Sequence, residues 1–205
     1  MSAEGGGSRW RRWRSAFALR CGRAAGAATK SGPRLRILFV CTGNICRSPT
    51  AEGVFSALVA ASGLGSAVEV RSAGTHGRHR AGEPPDPRAV LAARRRGIEI
   101  GAIRARALTA NDFHRFDRLI ALDRYNYETL LSRCPGNQGY KIHLLMHFAP
   151  EWDTMEVADP YGGGAELFEQ ALDRIEAAAR GLLVVVKKEW LPAAGRSGGV
   201  RRPGS

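Results

Sequence analysis

Cysteine is scarce in this chain of 205 residues, which holds only Cys21, Cys41, Cys46 and Cys134. No two form a C-x-x-C pair. That excludes a disulfide-stapled secreted scaffold and a cysteine-rich zinc module, and it points to free thiols in a reducing compartment. Histidine forms no ligand cluster either: His143 and His147 are four apart, but His143 falls in a strand pattern. No metal and no cofactor are expected. Long apolar runs are missing. The longest, GLLVVV at 181–186, falls far short of the roughly 18 residues a membrane-spanning helix needs, so no membrane partner is expected.

Acids are nearly absent from residues 1–33, where Glu4 stands alone against seven Lys and Arg. That Arg-, Ser-, Ala- and Gly-rich segment has no apolar core of a secretory signal. It reads as a basic, disordered, transit-peptide-like leader, with a chloroplast address favoured over mitochondrion or cytoplasm. A basic tail that stays attached is the competing reading. Residues 191–205 are rich in Gly, Pro and Arg, carry no acid, and read as a disordered tail. The net charge of +12 therefore sits mostly at the ends. The stretch 34–190 is close to neutral, which argues against a nucleic-acid partner.

What is present in 34–190 is one domain of alternating strand and helix patterns. LRILFV (35–40), VEVRS (68–72), DRLIAL (117–122) and YKIHLL (140–145) read as strands. Helical patterns cover 49–64, 86–96, 125–133 and 165–190, the second with Pro87 at its start and Gly97 past its end. This order predicts an α/β fold with a parallel sheet and helices on both faces. A site then belongs at the carboxyl ends of the strands.

The first strand runs directly into CTGNICRSPTAE. A strand, a small-residue loop and a helix starting near Pro49 aim several backbone N–H groups at one spot, which suits an oxyanion. Gly43 and Asn44 both tolerate the positive φ that a cradle demands. Cys41 opens the loop in a positive field that favours its thiolate. Arg47 can return to the same spot with two parallel donors for a phosphoryl group, and Ser48 can donate to the sulfur. The bare C-x5-R spacing is weak; its position between a strand and a helix gives it weight. Asp159-Pro160 reads equally as a turn or as a proton donor to a leaving group.

ILFVCTGNICRSPTAE resembles the signature of the low-molecular-weight protein tyrosine phosphatases. The likeness continues through SAGT (72–75), GEPPDPRA (82–89), the DF…FD…D…N run of 112–126 and ADPYGG (158–163), and spans about 35–190. Together with the leader it suggests an organelle-targeted member of plant or algal type. The resemblance implies a three-layer, doubly wound, flavodoxin-like fold with a four-stranded parallel sheet. It implies Cys41 as nucleophile, Arg47 as phosphate clamp and Asp159 as general acid. Thr42, Gly43, Asn44, Ile45, Cys46, Ser48 and Tyr161 would line the substrate site, with Ser72 supporting the loop. Cys46 would be a second loop cysteine able to form a reversible disulfide with Cys41.

The implied substrate is a phosphotyrosine protein or a small aryl phosphate. Two departures bear on it: Tyr161 is followed by Gly162, and Arg78 stands where many members carry an aromatic. The stretch HGRHRAG reads either as a solvated basic loop or as a rim for acidic substrates. Three rivals remain open: a phosphoarginine phosphatase, in which Thr would replace Ile45; an arsenate reductase, which needs further cysteines; and a non-catalytic anion- or RNA-binding module.

Overall fold

The computed structural model describes residues 34–191. The expectations for 1–33 and for the tail beyond 191 lie outside them. Four strands form one parallel sheet: β1 (Leu35–Cys41), β2 (Val68–Gly74), β3 (Arg118–Ala121) and β4 (Ile142–Leu144), in the order β2-β1-β3-β4. The chain steps from β1 out to β2, then returns past β1 to β3. Loops leaving the carboxyl ends of β1 and β3 therefore diverge, and the crevice between them is the place where such sheets bind ligands.

β1 is buried on both faces, which is why it reads as a continuous apolar run. Ile37 and Phe39 pack into a core with α1 (Arg47–Ala61), α2 (Pro87–Arg95) and α5 (Ala165–Val185). Leu38 and Val40 face a second core containing Phe113, Phe116 and Leu130, from or beside α3 (Ala110–Arg115) and α4 (Arg124–Arg133). Three layers result, as expected.

Several boundaries differ from the sequence reading. β4 is shorter than 140–145, because Gln138–Lys141 form a 3-10 turn. The last helix is α-helical only to Val185 and continues as a π-turn through Trp190. α3 went unread because six residues give too little periodicity to detect. Gly43, expected to use its freedom at positive φ, does not; of the loop residues only Asn44 does, at φ 58°.

α2 ends where Gly97 takes φ 74°, and Arg96 at that end grips α5. Its guanidinium lies 2.8 Å from Glu169, 2.8 Å from Asp173 and 2.9 Å from Glu176. One cation cannot neutralise three carboxylates, and Glu176 is the buried one, at 3 % exposure. Burial pushes its carboxyl up to about 7 despite Arg96, and its Oε1 has no partner among the described residues. In the unfolded chain the group returns to its ordinary 4.5. Between these values the folded protein holds a proton the unfolded one lacks, so this contribution is complete below the lower value and lost as pH rises through the upper one. Urea unfolding of Glu176→Gln alongside the wild type checks this: the stability of the wild type relative to the variant should decline between about pH 5 and about pH 7.5. A flat difference would contradict it.

Candidate active site

β1 delivers Cys41 to its carboxyl end, and residues 42–46 curl before α1 begins at Arg47. The first turn of α1 contains no acid and no side-chain cap, so its positive end is uncompensated from within the helix. Among the described residues, the N–H groups of Gly43, Ile45, Cys46 and Arg47 find no protein acceptor. They are the donors of an anion cradle.

Hydrogen-bond polarity fixes the loop. Asn44 is 1 % exposed and acts as its hub. Its Nδ2 donates to Ser48 Oγ at 2.9 Å and to Ser72 Oγ at 2.8 Å, while its Oδ1 accepts the Arg106 N–H at 2.9 Å. Ser72 in turn donates to Glu52 Oε2 at 2.6 Å. Ser48, having accepted from Asn44, keeps its own proton for Cys41 Sγ at 3.0 Å; the Ala73 carbonyl is a longer alternative at 3.4 Å. The Asn44 N–H also points at Sγ, at 3.3 Å. A thiolate at Cys41 thus meets two donors.

Arg47 is 3 % exposed and spans the crevice. Nη1 donates to Asp123 Oδ2 at 2.5 Å and to the Val157 carbonyl at 3.1 Å; Nη2 donates to Asp159 Oδ2 at 2.7 Å. Its Nε is buried and has no partner among the described residues, which leaves it as a free donor. Burial works against this cation, but Cys41, Asp159 and Asp123 outweigh it and hold the guanidinium charged. Asp123 caps α4 just beyond β3, and the Asn126 amide satisfies all its neighbours when its nitrogen faces Asp123 and its oxygen faces Thr42 Oγ1.

The cleft above the cysteine measures about 290 Å³ and is lined by Ile45, His76, His79, Arg80, Asp159 and Tyr161 as well as the loop. Asp159 is half exposed at its mouth. Arg80 donates to Tyr161 Oη at 2.9 Å and so props the aromatic wall, while Arg78 is exposed outside the cleft lining. Tyr125 stacks on His76 at the rim, with ring centroids 5.9 Å apart.

The structure brings Cys41, Arg47, Asp159, Ser48, Asn44, Ser72 and Tyr161 together as expected, with Thr42, Gly43, Ile45 and Cys46 in the same lining. Arg80 belongs to the stretch HGRHRAG, which reads either as a solvated loop or as a rim, whereas Asp123, Glu52 and Arg88 were missed. Of these only Asp123 left a signal, an acid directly after a strand at its carboxyl end. Cys46 has no disulfide partner among the described residues. Burial first, then the charges of Asp86, Cys41 and Asp159, push its thiol up to about 12, with Arg47 opposing.

A sulfur nucleophile inside a ring of amide donors, with a guanidinium beside it and a carboxyl at the mouth, defines a cysteine-dependent phosphatase. A sequence model of the family described as low molecular weight phosphotyrosine protein phosphatase matches residues 36–191, and the chain belongs to that family. A low molecular weight protein-tyrosine-phosphatase of Streptomyces coelicolor is 43% identical over 159 residues, covering 75% of this chain and 94% of that protein. The crystal structure of a protein tyrosine phosphatase from Entamoeba histolytica superposes with a TM-score of 0.71 at 36% identity, over 74% of this chain and 96% of the other. The arginine phosphatase YwlE of Bacillus subtilis superposes with 0.68 at 30% identity, over 76% and 97%.

The two loop cysteines should differ sharply towards alkylation. Iodoacetate at about pH 7 should modify Cys41 and leave Cys46 untouched, because Ser48 Oγ and the Asn44 N–H point at the Cys41 sulfur whereas Cys46 stays a thiol far below its titration point. Peptide mass spectrometry reads the outcome, and equal modification of both would refute the assignment.

Proposed function

We propose that the protein hydrolyses phosphotyrosine, and small aryl phosphates with it, through a phosphocysteine. The observation that carries this reading is the Cys41 sulfur held by Ser48 Oγ and the Asn44 N–H, beside an Arg47 whose Nε is free. Three phosphoryl oxygens take the loop amides and Arg47. Cys41 Sγ attacks phosphorus as the bond to the tyrosine oxygen breaks, and Asp159 gives that oxygen its proton. The Asp159 carboxylate then takes a proton from water. The water oxygen attacks phosphorus, the S–P bond breaks and inorganic phosphate leaves. Splitting one displacement into two, with donors already in place around the equatorial oxygens, supplies the catalysis.

The apolar Ile45 and the Tyr161 ring favour an aryl ester over phosphoarginine, and the basic His79 and Arg80 favour peptides with acidic neighbours. Cys134 packs in the α3–α4 layer with the Leu38 and Val40 core, which supplies no electron relay for an arsenate reductase. A plastid address for residues 1–33 rests on composition alone. Fusing those residues to a fluorescent protein tests it, and cytosolic fluorescence would reject it.

Metal-free assays of the full-length protein on p-nitrophenyl phosphate, a phosphotyrosine peptide and phosphoarginine test the reading. Cys41→Ser should abolish turnover. Asp159→Ala should slow phosphotyrosine hydrolysis on the order of a hundredfold or more while vanadate still binds. Normal turnover by Cys41→Ser, or a preference for phosphoarginine, would overturn the reading.

A further inference from the structure

The loop that carries Asp159 has few bonds of its own. The Gly163 N–H donates to the Pro160 carbonyl at 3.0 Å, and the Tyr161 N–H to Asp159 Oδ1 at 3.2 Å. Arg47 tethers Asp159, but Arg47 is also the donor that an arriving phosphate must share. A dianion beside Nε and Nη2 competes directly with the Asp159 carboxylate for the same fork. Something else must then keep the acid over the leaving oxygen.

Arg88, on the first turn of α2, grips the backbone of that loop. Its Nη1 donates to the Gly163 carbonyl at 2.7 Å and its Nη2 to the Tyr161 carbonyl at 3.1 Å. The fork is itself fixed: Nε donates to Asp86 Oδ1 at 3.0 Å and Nη2 to Asp86 Oδ2 at 2.8 Å. The guanidinium lies 4.5 Å from the centre of the Phe168 ring and 5.9 Å from that of Tyr161. Asp86 closes the path, because its N–H donates to the carbonyl of Ile45 inside the cysteine loop at 2.8 Å. The hydrogen bonds from Arg88 outweigh partial burial and hold the Asp86 carboxyl below its ordinary range, so the pair stays ionised. A continuous series of bonds thus runs from Ile45 through Asp86 and Arg88 to the carbonyls of Tyr161 and Gly163. Arg80 meets that loop at the Tyr161 side chain, not at its backbone, and its other fork nitrogen donates to Glu83 at 3.2 Å.

We propose that Arg88, seated on Asp86, is a positioning residue for leaving-group protonation. It sets the separation of the acid loop from the cysteine loop, so that Asp159 stays aimed at the leaving oxygen when Arg47 turns to the phosphate. This rests on the phosphatase reading and on Asp159 as the acid. Four acceptors around one planar fork demand arginine; lysine cannot reproduce that geometry.

A leaving-group series tests it. With a positioned acid, kcat/KM depends weakly on the basicity of the departing phenol; with the acid lost or misplaced, basic phenols suffer most. Arg88→Lys and Arg88→Met should lower kcat/KM for phosphotyrosine roughly tenfold more than for p-nitrophenyl phosphate, a part of the 10²–10⁴ that a positioned acid contributes. Vanadate inhibition should change by less than about threefold, since the cradle is untouched. Combined with Asp159→Ala, Arg88→Lys should add no further leaving-group dependence. Equal losses on both substrates, or additive losses in the double variant, would show a merely structural role and overturn the inference. Should Arg88→Met fail to fold, Arg88→Lys, with its charge and stem retained, decides alone. A wild type without turnover would instead reject the phosphatase reading, and a wild type whose leaving-group dependence ignores Asp159→Ala would reject the acid.

Discussion

The structure depends on keeping one buried cation charged. Arg47 is almost wholly excluded from water, and an isolated guanidinium there would be severely penalised. Asp123 and Asp159 compensate it from two sides, and the sulfur of Cys41 adds a third negative partner. The same cation lies beside the sulfur at the head of the loop. The arrangement also leaves Nε unspent. Catalysis by fixed electrostatics needs such donors in place before substrate arrives, because reorienting them later would cost energy at the transition state.

The loop around this cation is rigid for a reason of hydrogen-bond direction rather than of packing alone. Asn44 adopts a backbone angle rare outside glycine and uses both ends of its amide. Because its nitrogen donates twice, Ser48 is left to donate to Cys41 and Ser72 to Glu52. Two cysteines five residues apart in the same loop then have different surroundings. Cys41 meets donors, whereas Cys46 meets apolar neighbours and negative charge. The resemblance that suggested a reversible disulfide therefore meets a Cys46 that attacks poorly as it stands, and the sulfur of Cys41 is the one poised for chemistry.

The part of the fold legible in the sequence is the part governed by neighbours along the chain. β1, the loop and α1 form one continuous unit, and the apolar run, the small residues and Pro49 announce it. The second helix was readable because Pro87 and Gly97 bracket it. Asp123 and Arg88 were not readable as site residues, because their roles arise only when the sheet closes. Arg47 meets Asp123 across 76 positions and Asp159 across 112, and Arg88 meets Tyr161 across 73. No local pattern encodes such pairs. Gly43 failed as an expectation for the converse reason: it could take a positive φ, but Asn44 already makes the turn.

The central claim is that phosphorus is transferred to the sulfur of Cys41 before water takes it. Rapid acid quenching of the full-length protein during turnover of a phosphotyrosine peptide, followed by peptide mass spectrometry at low pH, observes this directly. A phosphoryl mass increment is expected on the peptide spanning residues 41–47, localised to Cys41 and absent from Cys46. A quenched enzyme in active turnover with no phosphorylated cysteine, or with the label on another residue, would contradict it.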